Sequence, residues 1–453
     1  MKKLLLCALA VVLAACGPRD TVFAPAEPLA FSEDSLRKSL AENPARGIGI
    51  YHNYEFREEK DTPAPRGYKP FYISHYGRHG SRYHTPAMCN KLMPRDLMRA
   101  DSAGLLTEKG KALLKDLKRI LDAHEGQKGE LSAVGEMQHR RLAERMCRRF
   151  PDVFRGRDSV VSRSSIYPRC LISMANFEGE LLRTYPALRI AHYSGKNMLV
   201  LLAARYKGRD AYFERIRSES KRQREALFNP DRLLASLFTG SPESLKEVVR
   251  EPQMLARSIF LLWGITEDIG MNHMDIRDYL TDEEIFLQSR LFSESSYAEI
   301  GPSAEYGNRS VPTAKPLLRH IVAQADAAIH SNRAADLRFG HDSGLCPLVA
   351  LMGVRGMSVR VPQAESFRHW PSGLRIPMAS NLQMVFYHHP GKEEILVKVL
   401  YNERETLLDG LAPKTGPYYG WEELKAHLNA LVDAPDPEVA YLGPDGDHTY
   451  IPG

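Results

Sequence analysis

Short strand-like runs recur along the chain, each ending at glycine, proline or a polar residue. They occupy residues 71–73, 159–163, 337–339, 382–387 and 395–401. Runs of this length with such endings are typical of strands. The last two are separated by the sequence PGK at residues 390–392, so together they predict an antiparallel hairpin.

Between these runs, apolar residues are spaced at helical intervals. In residues 105–123, for example, Leu113, Leu117 and Ile120 fall on one face of a helix. Similar spacing predicts helices over residues 32–40, 131–149, 317–325 and 421–432. Residues 184–316 are helical and irregular, with no clear buried strand. The alternation of strands and helices elsewhere predicts an α/β fold and excludes an all-β barrel.

The composition is that of a globular enzyme. The chain has 453 residues, of which 43% are hydrophobic and 26% are charged, close to the average for soluble domains. Its net charge of +5 suits an anionic small molecule, but it is too small and too dispersed to indicate nucleic acid binding. The composition leaves the oligomeric state open.

The N-terminus has the features of an export signal. Two of the first three residues are lysines. Residues 4–12 form an apolar run that is too short to span a bilayer as a permanent helix. The sequence LAAC at residues 13–16 resembles a bacterial lipobox. We predict a signal peptide over residues 1–15, lipidation of Cys16, and attachment to a bacterial outer membrane through the lipid alone. Ordinary signal cleavage nearby is the alternative.

Four cysteines follow Cys16 in the chain: Cys89, Cys147, Cys170 and Cys346. In an oxidising compartment they could form up to two disulfides, in three possible pairings. The alternative is that they are small buried apolar residues with free thiols. Their spacing matches no zinc site.

Residues 75–83, with the sequence HYGRHGSRY, are the densest cluster of candidate functional groups. Arg78, His79 and Arg82 lie here with two glycines, directly after the run at residues 71–73. Arginine binds phosphate through paired hydrogen bonds and stays charged, and glycine lets backbone N–H groups approach an anion closely. In open α/β sheets, ligands bind beyond the carboxyl ends of the strands. The segment therefore predicts a phosphate pocket with an imidazole at its centre; a basic surface loop is the alternative.

The sequence RHGSR at residues 78–82 belongs to a pattern, Arg-His-Gly-x-Arg, expected by chance only about once in several hundred chains of this length. It resembles the signature of the histidine phosphatase superfamily, in particular its acid phosphatase and phytase branch, which includes multiple inositol polyphosphate phosphatases. That signature continues with a later His-Asp or His-Ala-Glu, and this chain has Gly-His-Asp at residues 340–342. Residues 131–139 resemble a further family stretch, Leu-Thr-x-x-Gly-x-x-Gln.

The resemblance implies the domain organisation. It indicates an α/β core with a mostly parallel sheet flanked by helices, like that of phosphoglycerate mutase, and an inserted, mainly α-helical cap that overhangs the pocket. The core then comprises residues 70–183 and 317–453, the cap residues 184–316, and residues 16–69 a leader that packs on the core. Arginines of the cap either belong to a solvated helix face or contact a polyanionic substrate, and the sequence leaves both open.

The resemblance also implies a role for each site residue. His79 is the nucleophile that forms a phosphohistidine, and Asp342 protonates the leaving oxygen and later activates water. Arg169 matches the family's third phosphate-binding arginine, because it follows a serine-rich loop after the run at residues 159–163 and opens a helix. The phosphate oxygens are bound by Arg78, Arg82, Arg169 and His341. No metal or other cofactor is implied, and the chain has no His-Glu-x-x-His motif.

These residues predict a phosphomonoester hydrolase acting on exported organic phosphates, inositol phosphates among them. A carboxylic acid that donates a proton, beside a histidine that binds phosphate best when charged, predicts an acidic optimum. His139 lies among arginines on what the pattern indicates is a polar face, which predicts a solvated or structural histidine. Two alternatives stay open: a non-catalytic lipoprotein that binds phosphorylated ligands, and a mutase-type phosphotransferase.

Overall fold

The computed structural model describes residues 28–435, except residues 59, 204, 205, 207, 272, 273, 304 and 307. The predicted signal peptide and Cys16 therefore lie outside the described residues, and so does Arg205 of the predicted cap. Within the described range, none of the helices has the length and apolar character needed to cross a bilayer.

In the described part of the chain, eight strands form one sheet. The strands are β1 (Lys69–Arg78), β2 (Ser159–Ser164), β3 (Arg189–Ser194), β4 (Arg333–Gly340), β5 (Asn381–His389), β6 (Lys392–Tyr401), β7 (Arg404–Glu405) and β8 (Tyr418–Gly420). Their order is β3-β2-β4-β1-β5-β6-β7, and β8 pairs with β6. Strands β1 to β4 are mutually parallel, whereas the other pairings are antiparallel. The predicted hairpin is confirmed as β5 and β6.

Helices cover both faces of this sheet and build a further layer. They are α1 (Glu33–Glu42), α2 (Pro86–Leu92), α3 (Arg95–Ser102), α4 (Glu108–Asp122), α5 (Ala133–Arg149), α6 (Pro151–Gly156), α7 (Pro168–Thr184), α8 (Leu199–Leu202), α9 (Arg209–Leu227), α10 (Asp231–Leu237), α11 (Pro242–Val248), α12 (Pro252–Gly264), α13 (Asp282–Ile300), α14 (Lys315–Ile329), α15 (Asp342–Leu351), α16 (Gln363–His369), α17 (Ser372–Arg375) and α18 (Trp421–Asp433). The predicted α/β fold is confirmed, with a mixed sheet in place of the mostly parallel one that the resemblance implies.

Three of the helices predicted from apolar spacing, α1, α4 and α5, start at a hydroxyl N-cap. Thr107 accepts a hydrogen bond from the Gly110 N–H at the start of α4, and Ser132 accepts one from the Gly135 N–H at the start of α5. A hydroxyl at this position satisfies a backbone N–H that has no partner inside the helix. Helices α1, α4, α5, α14 and α18 thus confirm the five predicted segments to within a few residues.

Alternation along β1 divides the apolar core between the two faces of the sheet. Ile73 packs on one face with α5 and α7, whereas Tyr72 and Tyr76 pack on the other with α14, α15 and α18. Successive side chains of a strand point to opposite faces. Because both faces are covered, β1 is buried along almost its whole length, as its apolar start indicates.

Three strand ends meet at one edge of the sheet. In the parallel register, Arg78 of β1 lies opposite Gly340 of β4, and Ser164 of β2 lies opposite Phe339. The loops after β1, β2 and β4 therefore begin side by side, although they are far apart in the chain. This edge carries the signature residues.

The helical layer beside the core is larger than the predicted cap. Helices α2 to α4, within the predicted core range, share an apolar cluster with α10, α12 and α13. Leu113 and Leu117 of α4, for example, belong to the same cluster as Leu233 of α10 and Ile259 of α12. The face of α4 identified from the sequence is thus covered by helices from the insertion, and the sheet is not its partner.

Strand β3 corrects one prediction. It lies inside residues 184–316, the predicted helical cap, where the pattern indicates no clear buried strand, and it pairs in parallel with β2 at the edge of the sheet. Its side chains are mostly exposed, because an edge strand has one free side and little covers this one. An exposed strand lacks the apolar run that marks a buried one, so the sequence pattern does not reveal it.

The cysteine alternatives are resolved in favour of free thiols. Cys89, Cys147, Cys170 and Cys346 are all buried and unpaired. Cys170 and Cys346 belong to different apolar clusters. The thiols act as small apolar residues of the core, so the fold needs no disulfide.

Candidate active site

His79 follows β1 directly and is fixed through both its backbone and its ring. Its backbone N–H donates to the Gly340 carbonyl at 2.9 Å, and Nδ1 donates to the Gly80 carbonyl at 2.9 Å. A carbonyl only accepts hydrogen bonds, so Nδ1 carries the ring proton and Nε2 keeps its lone pair. His79 lines a cleft of about 280 Å³. Nε2 is therefore the nitrogen available to attack a bound group.

Arg78 is fully buried at the end of β1, and backbone carbonyls hold its guanidinium. Nη1 donates to the carbonyls of Ile50, Ile376 and Pro377, at 2.7, 3.0 and 3.1 Å. Nη2 lies 2.8 Å from Asp342 Oδ2, and Nε has no hydrogen-bond partner among the described residues. The group is thus anchored on one side and keeps donor capacity on the other.

Two further guanidiniums face the cleft. Arg82 donates from Nη1 to the Tyr83 carbonyl at 2.9 Å and lies 5.5 Å from the centre of the Tyr51 ring. Arg169, in the first turn of α7, lies 4.7 Å from the centre of the Tyr167 ring. In each arginine Nε lacks a hydrogen-bond partner within the described residues. Both side chains are positioned by aromatic rings and retain donors for an anion.

His341 follows β4 and packs against the His79 ring. The centres of the His79 and His341 rings are 5.5 Å apart, with their planes at 71°. Nε2 of His341 is hydrogen-bonded to Ser165 Oγ at 3.0 Å, and the backbone N–H donates to the Tyr76 hydroxyl at 3.2 Å. Ser165 comes from the serine-rich loop after β2, so this contact joins two of the three strand ends.

Asp342 is the first residue of α15 and lines the same cleft. Its Oδ1 accepts a hydrogen bond from the Ser343 backbone N–H at 2.7 Å, while Oδ2 faces Arg78 Nη2. The side chain is 21% exposed, so the carboxyl group is open to a ligand or to water. It lies between the most buried arginine of the site and the cleft.

Burial and neighbouring cations make His79 difficult to protonate. Its pKa is held well below the ordinary histidine value, chiefly because the ring is buried, and further because Arg169, Arg78 and Arg82 repel a second positive charge. The ring therefore stays neutral at pH values at which an ordinary histidine is already charged. Neutral imidazole is the form in which Nε2 can act as a nucleophile.

The protonation states of His341 and Asp342 depend on what occupies the site. Burial, reinforced by Arg169, lowers the pKa of His341 to about 3. Burial alone would raise the pKa of Asp342, but Arg78 and then His341 outweigh it and lower that pKa. A charged His341, as expected from the sequence, thus requires the negative charge of a bound phosphate.

A buried network that the sequence did not reveal supports the signature loop. The Ser81 backbone N–H donates to Gln138 Oε1 at 2.8 Å, and the Ser81 hydroxyl donates to Asp268 Oδ1. Ser132 Oγ donates to the Ser81 carbonyl at 3.0 Å. A Cβ on Gly80 would lie 2.5 Å from the Gly135 carbonyl oxygen in α5. The loop and this helix therefore approach closely. Asp268 follows α12 in no recognisable motif, and only the fold brings it to the loop.

His139 corrects a second prediction. We expected it on a polar face of α5, but its side chain is fully buried. The ring packs on Phe339 and Phe177, with ring centres 5.7 and 6.5 Å apart. Burial lowers its pKa to about 3. The structural alternative therefore holds. The neighbouring arginines in the sequence indicate a solvated face, but α7 and β4 cover the face of α5 that carries His139.

The cap arginines fall into two groups. Arg209 lines the cleft with Phe213, both from α9, whereas Arg222 is exposed and pairs with Glu219. The solvated-face alternative therefore holds for Arg222, whereas contact between Arg209 and a polyanionic substrate stays a prediction. From the predicted leader, residues 50 and 51 line the cleft as well, so the site is built from the core, the cap and the leader.

Comparisons with known proteins identify the family of this chain. The model of the histidine phosphatase superfamily (branch 2) matches residues 77–402. Over 133 residues the chain is 33% identical to human multiple inositol polyphosphate phosphatase 1, a stretch that covers 26% of this chain and 27% of the human protein. The chain thus matches about a quarter of that relative's length.

Solved structures share the fold at low sequence identity. The Bifidobacterium longum multiple inositol polyphosphate phosphatase in complex with inositol hexasulfate superimposes with a TM-score of 0.68 at 20% identity, covering 84% of this chain and 97% of that one. The phytase from D. castellii has a TM-score of 0.66 at 11% identity, with 92% of each chain covered. At such identities the likeness shows the fold.

Proposed function

The chain belongs to branch 2 of the histidine phosphatase superfamily, and we propose that it hydrolyses phosphate monoesters through a phosphohistidine formed on His79. One observation carries the proposal: Nε2 of a neutral His79 is free while its other nitrogen is engaged, and three guanidiniums surround it. Phosphoryl transfer needs such a nucleophile together with cations that neutralise the phosphate oxygens.

The reaction then takes place in two half-reactions. In the first, His79 Nε2 attacks phosphorus, the bond from phosphorus to the ester oxygen breaks, and protonated Asp342 gives its proton to the departing oxygen. In the second, the Asp342 carboxylate takes a proton from water, whose oxygen attacks phosphorus and releases His79 and inorganic phosphate. Arg78, Arg82 and Arg169 neutralise the phosphate oxygens in both.

The charges of the site favour acidic pH for this cycle. Arg78 holds the pKa of Asp342 below its ordinary value, so without substrate the carboxyl is ionised. A bound phosphate adds negative charge beside Asp342 and competes for Arg78, which raises the pKa of the carboxyl. The proton donor is therefore populated in the complex as the pH falls, while His79 stays neutral.

Within this class we propose inositol phosphates as substrates. The support is twofold: relatives of this chain include inositol polyphosphate phosphatases by name, and the cleft is lined from the cap by Arg209 in addition to the arginines around His79. A substrate with several phosphate groups needs cations beyond those that bind the reacting group.

Phosphate release from an aryl phosphate, a sugar phosphate and inositol hexakisphosphate tests the function. Measured from about pH 4 to 8 with a chelator present, release should be chelator-resistant and fastest on the acidic side, because Asp342 must be protonated. Release of phosphate to an added acceptor alcohol in place of water would indicate a phosphotransferase. Tight binding without release would indicate a binding lipoprotein, and either result would contradict the proposal.

We further propose that the protein is exported and anchored by lipid on Cys16, with the outer membrane as its location. The charged start, the short apolar run and the LAAC sequence support this. Expressed with a labelled fatty acid, the full chain should incorporate label and partition with membranes, whereas Cys16→Ser should do neither. Label-free full-length protein in the soluble fraction would contradict anchoring, and Cys7→Ser is the matched control.

A further inference from the structure

One carboxylate from the cap faces the phosphate cleft. Glu299, near the end of α13, lines the cleft that also contains His79, Arg82 and Arg169. Its backbone carbonyl accepts a hydrogen bond from Ser310 Oγ at 2.6 Å, which fixes its position, and its side chain is 25% exposed. A carboxylate is an unexpected lining for a cleft that binds anions, because like charges repel.

Cations from three helices surround this carboxylate. Arg217 of α9 lies 3.7 Å from it, which is an ion pair and longer than a hydrogen bond. Arg209 of α9, Arg257 of α12 and Lys91 of α2 also favour its ionised form. Burial, with a smaller contribution from the charge of Glu299, raises the pKa values of Tyr206 and Tyr212. These phenols stay neutral in acidic and neutral solution.

These cations are themselves only partly neutralised. Nε of Arg257 has no hydrogen-bond partner among the described residues, and neighbouring cations help to lower the pKa of Lys91 to about 8, after the larger effect of burial. Glu299 is therefore the carboxylate around which this part of the cleft is arranged. Whether it carries a charge decides how strongly the surrounding cations attract a second anionic group.

We propose that Glu299 is a charge-selectivity residue, which disfavours ligands carrying anionic groups beyond the phosphate that occupies the site of His79. The inference rests on the proposed function and extends it to substrate choice. Ionised Glu299 competes with such groups for Arg217 and its neighbours, and protonated Glu299 does not.

The charge of this carboxyl depends on pH within the range in which the reaction is expected to run. Burial raises the pKa of Glu299 above its ordinary value against the effect of the surrounding cations, so the carboxyl loses its charge at a higher pH than an ordinary glutamate does. Discrimination against polyanions then weakens as the pH falls.

Inhibition by myo-inositol hexasulfate tests this inference. Sulfate esters keep their charge throughout the acidic and neutral range, so a change in inhibition with pH reports groups of the protein. The inhibition constant against aryl phosphate turnover is measured at about pH 4.5 and 7 for the wild type and three variants. Glu299→Gln removes the charge, Glu299→Asp keeps it, and Glu219→Gln removes an equal charge from a partly exposed cap position paired with Arg222.

At neutral pH, hexasulfate should inhibit Glu299→Gln about tenfold more tightly than the wild type, and the difference should become small at the acidic pH. Glu299→Asp and Glu219→Gln should follow the wild type. Equal inhibition of the wild type and Glu299→Gln at neutral pH would overturn the proposal, and so would Glu299→Asp behaving like Glu299→Gln, since packing would then be the cause.

A failure of the proposed function would be recognised separately. If the wild type does not hydrolyse the aryl phosphate, the proposed function is wrong, and hexasulfate binding is then compared by calorimetric titration with the same variants. A tenfold difference there would retain the charge-selectivity of Glu299 for a binding protein. No difference would overturn it.

Discussion

His79→Ala is expected to abolish phosphate release while phosphate binding persists. The variant removes Nε2, the atom that forms the bond to phosphorus, and leaves Arg78, Arg82 and Arg169 in place. Loss of a nucleophile in a catalytic unit typically costs on the order of 10⁴-fold or more in turnover. The arginines are fixed by backbone carbonyls and aromatic rings, so their positions do not depend on the imidazole.

Two measurements check this expectation. Rapid acid-free quenching of the wild type with labelled aryl phosphate should trap a phosphoenzyme whose label is lost in acid, as expected for a phosphorus–nitrogen bond, and His79→Ala should trap none. Calorimetry with inorganic phosphate should give a dissociation constant for the variant within about tenfold of the wild type.

The matched control is His139→Gln, which alters a buried imidazole of the same region that packs on Phe339 and lies outside the cleft-lining residues. The folded fraction of the His139→Gln variant should still form the phosphoenzyme. Turnover by folded His79→Ala at a rate near that of the wild type would exclude the phosphohistidine. A loss of phosphate binding equal to the loss of turnover would instead show that the imidazole organises the pocket.

The residues of the site that could be predicted from sequence are those adjacent to strand ends. Arg78, His79 and Arg82 lie within five consecutive residues after an apolar run, and His341 with Asp342 forms a second short signature. The sequence pattern alone predicts that these residues lie close together, because parallel strands end at one edge of a sheet. The α/β fold followed from the same alternation of strands and helices.

The remaining features depend on contacts between distant parts of the chain. Asp268 reaches Ser81 across 187 residues, and no pattern near either residue indicates the pair. Burial of His139 depends on Phe339 and Phe177, which its own helix cannot reveal. Strand β3 is exposed on the sheet edge, so it lacks the apolar signal by which β1, β2, β4, β5 and β6 were predicted. Periodicity shows which face of an element is apolar, but it does not identify what covers that face.

Asp342→Asn is expected to separate substrates by their leaving group. An asparagine keeps the shape of the carboxyl and cannot supply a proton, so esters whose leaving oxygen is strongly basic should lose about 10²- to 10⁴-fold in the first half-reaction. An activated aryl phosphate departs without protonation, and its transfer to His79 should be much less affected. The variant also removes the base for the second half-reaction, so the phosphoenzyme should accumulate.

Stopped-flow measurement distinguishes these effects. With the aryl ester, Asp342→Asn should release a rapid burst of about one phenol per active site, followed by slow turnover; with a sugar phosphate it should show no burst.

Glu299→Gln, which removes a negative charge from the same cleft, is the control and should not separate the two monophosphates by leaving group. Because Arg78 is 2.8 Å from Asp342 in the wild type, the substitution also removes the negative charge that pairs with that arginine, and tighter phosphate binding should accompany the slower chemistry. Equal losses on both esters, with no burst on either, would remove Asp342 from the role of proton donor and leave it as a residue that positions Arg78.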